Sequence, residues 1–139
     1  MKWVPLYALT ALVTGLHNFY GLMNMVNGAP LNLLNCVSLL GSATVLGAAF
    51  LWPFRPSRAA KIGLAGSVLL WVFYGPLIVA SLVTPFSMWL EIKTFIAFRD
   101  YVPLMGTLFG PVLLIACTGH SIFFFRPREP RTAIRPAIK

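Results

Sequence analysis

The chain has 139 residues, 58% of them hydrophobic and only 10% charged, with a net charge of +8. A soluble domain carries roughly a quarter charged residues, so these charges are too few to cover a water-facing surface, and the mean hydropathy of +0.81 points to lipid instead. Nucleic-acid binding, a common reading of a basic chain, lacks support because the basic residues are not interleaved with aromatic ones.

A bilayer-spanning helix needs about 20 mainly apolar residues. Residues 3–54, 62–90 and 101–125 contain no Asp, Glu, Lys or Arg. The first stretch holds two spans and a turn, and the others hold one span each. Runs such as Val68-Leu69-Leu70-Trp71-Val72-Phe73 do not alternate as barrel strands do. The sequence predicts an all-α integral membrane protein: a four-transmembrane-helix bundle over 1–125, then a basic tail over 126–139.

The first span is predicted over 3–23, with Pro5 in its first turn, where proline is tolerated. Trp3 and Tyr20 fall near the two membrane faces, where aromatic rings are favoured. Its apolar region is longer than that of a signal peptide, although small residues near Gly28 and Ala29 leave cleavage open. A turn over 24–29 carries Asn27-Gly28. The second span is predicted over 30–54 and stops at Pro53 and Pro56. The third is predicted over 59–83 and the fourth over 103–125, with Gly75-Pro76 and Gly110-Pro111 as kink sites. Two Gly-Pro pairs are too little to argue an inverted repeat.

Between the third and fourth spans, residues 85–102 place Met88, Trp89, Ile92, Phe95 and Ile96 at helical spacing. Glu91, Lys93 and Thr94 supply polarity. A short amphipathic helix on the outer membrane surface is expected, serving either to close the end of the bundle or to bind a partner. The tail has no apolar pattern and is expected to order only on a partner.

Charge placement sets the topology. Lys2, Arg55, Arg58, Lys61, Arg126, Arg128, Arg131, Arg135 and Lys139 all fall on one side of a four-span chain. The other side holds only Lys93 and Arg99, balanced by Glu91 and Asp100. The positive-inside rule then puts both termini in the cytoplasm (N-in/C-in), with anionic lipid headgroups as counter-charges. With no organellar transit pattern, a prokaryotic inner membrane is the expected location.

The clearest constellation is a polar stripe on the first span. Tyr7, Thr10, Thr14, His17, Gly21 and Asn24 alternate at spacings of three and four and share a helix face, with Asn18 beside them. On the second span Asn35, Ser38 and Ser42 form a shorter row. Gly106 with Gly110, and Ala59 with Gly63 and Ser67, have the small-residue spacing that lets helices approach closely. Tyr7, Thr10, Thr14, His17, Asn18, Asn35, Ser38 and Tyr74 are therefore candidates either for ligand binding or for helix packing. Packing is the simpler account, since membrane interfaces use these residue types generally.

His17 is ionisable within a span, which marks it for function by default. His17 and His120 are candidate ligands for haem or partners for a quinone. Depth argues against one haem held by both. His17 lies roughly 20 Å from the cytoplasmic end of its span and His120 about 8 Å from that end of its own, at 1.5 Å per residue. Trp71, Tyr74 and Trp89 are aromatic faces for a cationic ligand. Cys36 and Cys117 are expected to be buried free thiols at different depths.

Glu91, Asp100 and Glu129 are the only acids, and none lies in a predicted span. Size and span count are similar to those of small multidrug-resistance transporters. Those carry a functional glutamate in the first span, which this chain lacks, so the resemblance stops at span count. No CxxC, HExxH, GxSxG or phosphate loop is present. The function expected is that of a non-catalytic accessory or assembly subunit of a larger membrane complex. The alternatives are a small-molecule binder or carrier using the stripe, and a haem- or quinone-binding redox subunit.

Overall fold

The computed structural model describes residues 2–26, 28 and 32–125. These form five helices: α1 (Val4–Val26), α2 (Leu33–Leu51), α3 (Pro56–Val83), α4 (Pro85–Phe98) and α5 (Tyr101–Phe125). The fold is all-helical, as expected. Three segments, Leu33–Leu51, Pro56–Val83 and Tyr101–Phe124, are long and apolar enough to cross a membrane. α1 is also long, at 23 residues, but its Thr10, Thr14, His17 and Asn18 lower its hydropathy.

Local chemistry explains the boundaries and corrects several predicted ones. α1 continues to Val26, so Asn24 belongs to the helix and not to a turn. α2 starts at Leu33 because the Asn32 side chain accepts from the Leu34 amide at 3.0 Å, an N-cap. It ends at Leu51, ahead of Pro53. α3 begins at Pro56, since proline suits a first helical position. Thr84 joins α3 to α4: its amide and its hydroxyl both donate to Ala80 O, and its own carbonyl accepts from the Ser87 amide and hydroxyl. α3 and α5 each contain their proline, Pro76 and Pro111, without a break in the assigned helix. Of the predicted 24–29 turn, 24–26 belong to α1 and residues 27 and 29 lie outside the described residues, as does the whole 126–139 tail.

α1 packs along α2 and α5, and α3 packs along the same two helices on the other side. α4 touches only α3 and α5 appreciably and buries none of its residues. The apolar helix expected between the third and fourth predicted spans is therefore present. Its Phe86, Trp89, Leu90, Ile96 and Phe98 are exposed.

The interior is made of small and polar side chains around two tyrosines. Tyr7, Thr10, Thr14, Asn18, Ser38, Ala59, Ser67, Tyr74, Cys117 and Ser121 are fully or almost fully buried. Leu70, Leu114 and Trp52 are buried with them, but most of the large apolar side chains face outward, with Phe50 at 72% and Phe54 at 82% exposed. In water this distribution would leave most of the hydrophobic driving force unused. In lipid it is the expected one, because helices there associate through close backbone approach and interhelical hydrogen bonds. One expectation fails on this point. Cys36 is exposed and only Cys117 is buried, because α2 turns Asn35 and Ser38 inward and Cys36 between them outward.

Candidate functional site

The polar stripe of α1 runs through the interior from one end to the other. At one end stands Tyr7. Its hydroxyl lies 2.7 Å from Ser121 Oγ and 3.0 Å from His120 Nδ1, both on α5. Its ring stacks on Trp52, at the end of α2, with centroids 5.1 Å apart. It also lies against Gly63 of α3, where an added methyl would strike the ring. Glycine is thus required there by close approach, and Tyr7 touches all three neighbouring long helices. His120 is enclosed by the rings of Trp3 at 4.1 Å and Trp52 at 5.2 Å.

In the middle, Thr10 Oγ1 donates to Leu6 O at 2.7 Å and reaches Leu113 O of α5 at 3.4 Å. Ser67 Oγ donates to Cys117 Sγ at 3.7 Å, joining α3 to α5. Thr14 Oγ1 and Ser42 Oγ meet at 2.8 Å between α1 and α2.

At the far end the Tyr74 hydroxyl lies 3.1 Å from His17 Nδ1; the tautomer of the imidazole decides which atom donates. The His17 ring is backed by Gly106 and the Tyr74 ring by Gly110, both on α5. Phe73 meets His17 edge-on with centroids 5.6 Å apart. Asn18 Nδ2 donates to Thr14 O at 2.6 Å. Asn35 of α2 lies against Gly21.

The two histidines thus serve two separate tyrosines. Tyr7, which binds His120, and His17 are ten residues apart on α1, about 15 Å along its axis, so one haem cannot take both histidines of one chain. Of the candidate residues, Tyr7, Thr10, Thr14, Asn18, Asn35, Ser38 and Tyr74 are buried, and His17 is half-buried. The stripe stops short of Asn24, which is exposed. The three aromatic candidates for a cation do not converge. Trp71 donates its Nε1–H to Thr118 at 3.1 Å, Tyr74 is in the core, and Trp89 on α4 carries Lys93 Nζ 3.7 Å above its ring.

Sequence reasoning missed Ser121 and Cys117 as contributors to this polar column. A signal was present: extending the Gly106–Gly110 spacing by helical turns leads to Leu114, Cys117 and Ser121, all buried on the same face of α5.

Outside the core, two apolar grooves flank α1. One, of about 450 Å³, lies against α2 between Ala8, Ala11, Leu12 and Leu46. The other, of about 340 Å³, lies against α5 between Leu9, Val13, Tyr101 and Met105. Among the described residues no three His, Cys, Asp or Glu side chains gather where they could hold a metal ion. No protein-family model, curated protein or solved structure matches the chain.

Proposed function

We propose that the protein is a four-span membrane subunit that performs no reaction of its own and works inside a larger membrane assembly. The observation that carries this reading is the use made of the α1 stripe. Tyr7, Thr14 and His17 each bond to a side chain on another helix. The stripe therefore holds helices together, which is the work expected of polar side chains facing a bundle interior.

α1 is the fourth span in this reading. Its 23 residues reach about 34 Å at 1.5 Å per residue, enough for a hydrocarbon core of about 30 Å. Its outer face, Leu9, Leu12, Leu16 and Phe19, is exposed and apolar, while its inner face is polar. Averaging over the two faces lowers the hydropathy of α1, and its packing beside α2 and α5 supports a fourth span there. Lys2, Arg55 and Arg58 then mark the cytoplasmic side of a prokaryotic inner membrane, with both termini there. α4 lies in the outer interface, with the Trp89–Lys93 pair at the headgroup level.

The test is extraction from the native membrane in mild detergent, then sizing and mass spectrometry of what travels with the chain. Large subunits in fixed stoichiometry are expected. A clean monomer or homodimer would reject the reading and favour the small-molecule binder. A Soret band in the purified protein would favour the haem-binding alternative at His17 or His120.

A further inference from the structure

The helices α1 and α2 run antiparallel in a fixed register. Thr14 meets Ser42, and Gly21 meets Asn35. Between these two rungs, one helical turn on from Thr14 and one turn back from Ser42, Asn18 falls opposite Ser38. The Thr14–Ser42 rung closes by a direct bond of 2.8 Å. The Asn18–Ser38 rung does not close. Both residues are fully buried, yet Asn18 Oδ1 and Ser38 Oγ have no hydrogen-bond partner. These are the two buried side-chain atoms left unpaired among the described residues.

The Asn18 amide cannot escape by turning over. Its Nδ2 donates to Thr14 O at 2.6 Å, and the flipped amide would set oxygen against oxygen there. Oδ1 is thus held as an acceptor that needs a donor. The Ser38 hydroxyl can both donate and accept. The Tyr74 hydroxyl lies beside Asn18 and also binds His17 Nδ1; whenever it donates to the imidazole, Oδ1 is left without a donor. In lipid no bulk water reaches such groups, so buried polar atoms must find partners inside the protein.

We propose that the Asn18–Ser38 rung is a binding site for one small hydrogen-bond donor, a water molecule held between α1 and α2 and bridging Asn18 Oδ1 to Ser38 Oγ. Water fits both groups, since it donates to the amide oxygen and exchanges a second bond with the hydroxyl. Buried waters occupy polar niches of this kind, with two to four bonds each. The site stands independently of the subunit reading above, because it depends only on the interior of one chain.

The test is infrared difference spectroscopy of the full chain in lipid, exchanging H₂¹⁶O for H₂¹⁸O. The wild type is expected to show the isotope-sensitive O–H band of an internal water. The band is lost in Ser38→Ala and kept in Ser42→Ala, whose rung already closes directly. Absence of the band in the wild type overturns the proposal, as does its persistence in Ser38→Ala or its loss in Ser42→Ala. Should Ser38→Ala fail to fold, a high-resolution structure of the wild type in lipid decides. A single density peak bonded to both atoms supports the site, and a direct Asn18–Ser38 bond removes it.

Discussion

The Tyr74 hydroxyl and His17 Nδ1 lie 3.1 Å apart and join α3 to α1 across the interior. These two helices do not pack along one another as α1 does with α2 or α5. The two long side chains close that diagonal at one end, as Tyr7 against Gly63 closes it at the other. A double-mutant cycle of Tyr74→Phe and His17→Leu should give a coupling of about 0.6 kcal/mol, with about 1.7 as the upper range for interhelical bonds in membranes. Unfolding in mixed micelles measures it. Additive losses would mean that the bond contributes nothing across the diagonal.

Glycine at position 106 is predicted to be obligatory for the same contact. A methyl there would land on the His17 ring. The ring sits between α5, Phe73 and Tyr74, so it has little room to give. Gly106→Ala should therefore cost about 1–3 kcal/mol, the range for overpacking a filled site. Gly119→Ala is the control, since nothing lies within 4 Å of its added methyl. It should cost nothing. Equal losses at both positions would show that the cost at 106 does not come from contact with His17.

How much of this was legible in the sequence follows from what periodicity carries. The 3.6-residue period placed Tyr7, Thr10 and Thr14 on one face, and that face is buried. Length and apolar runs placed α2, α3 and α5, and the apolar spacing within 85–102 placed α4, which ends earlier, at Phe98. Boundaries were less legible, because caps are decided by single contacts such as Asn32 to the Leu34 amide. Cys36 was misjudged because depth in a span says nothing of which side a residue faces. Only the inward position of Asn35 and Ser38 settles that. The pairing of each histidine with its own tyrosine could not be read at all, since it depends on the register between helices distant in sequence.

The two thiols should separate by reactivity. Cys36 is exposed near the start of α2, whereas Cys117 is buried and accepts a bond from Ser67. A small membrane-permeant maleimide should modify Cys36 in the folded protein and leave Cys117 untouched until denaturant is added. Intact-mass analysis counts the adducts. Early modification of Cys117 would show that the α3–α5 contact opens readily.

α4 ends at an unusual residue. Arg99 caps it in the left-handed conformation with φ of 58°, the one non-glycine at positive φ among the described residues. Its amide bonds Ile96 O and Phe95 O, and the Asp100 amide bonds Phe95 O at 2.9 Å. This is the position at which helices usually carry glycine, because a Cβ there costs roughly 1 kcal/mol. Arg99→Gly should relieve that cost, less the entropy glycine gains when unfolded, for a net gain of about 0.5 kcal/mol. Arg99→Val, branched at Cβ, should lose more than 1 kcal/mol, roughly, since β-branched residues tolerate positive φ worst. Amide hydrogen exchange along α4 reads both changes locally. If Arg99→Gly instead weakens α4 while Arg99→Lys leaves it intact, the cation holds the helix end and the backbone argument is wrong.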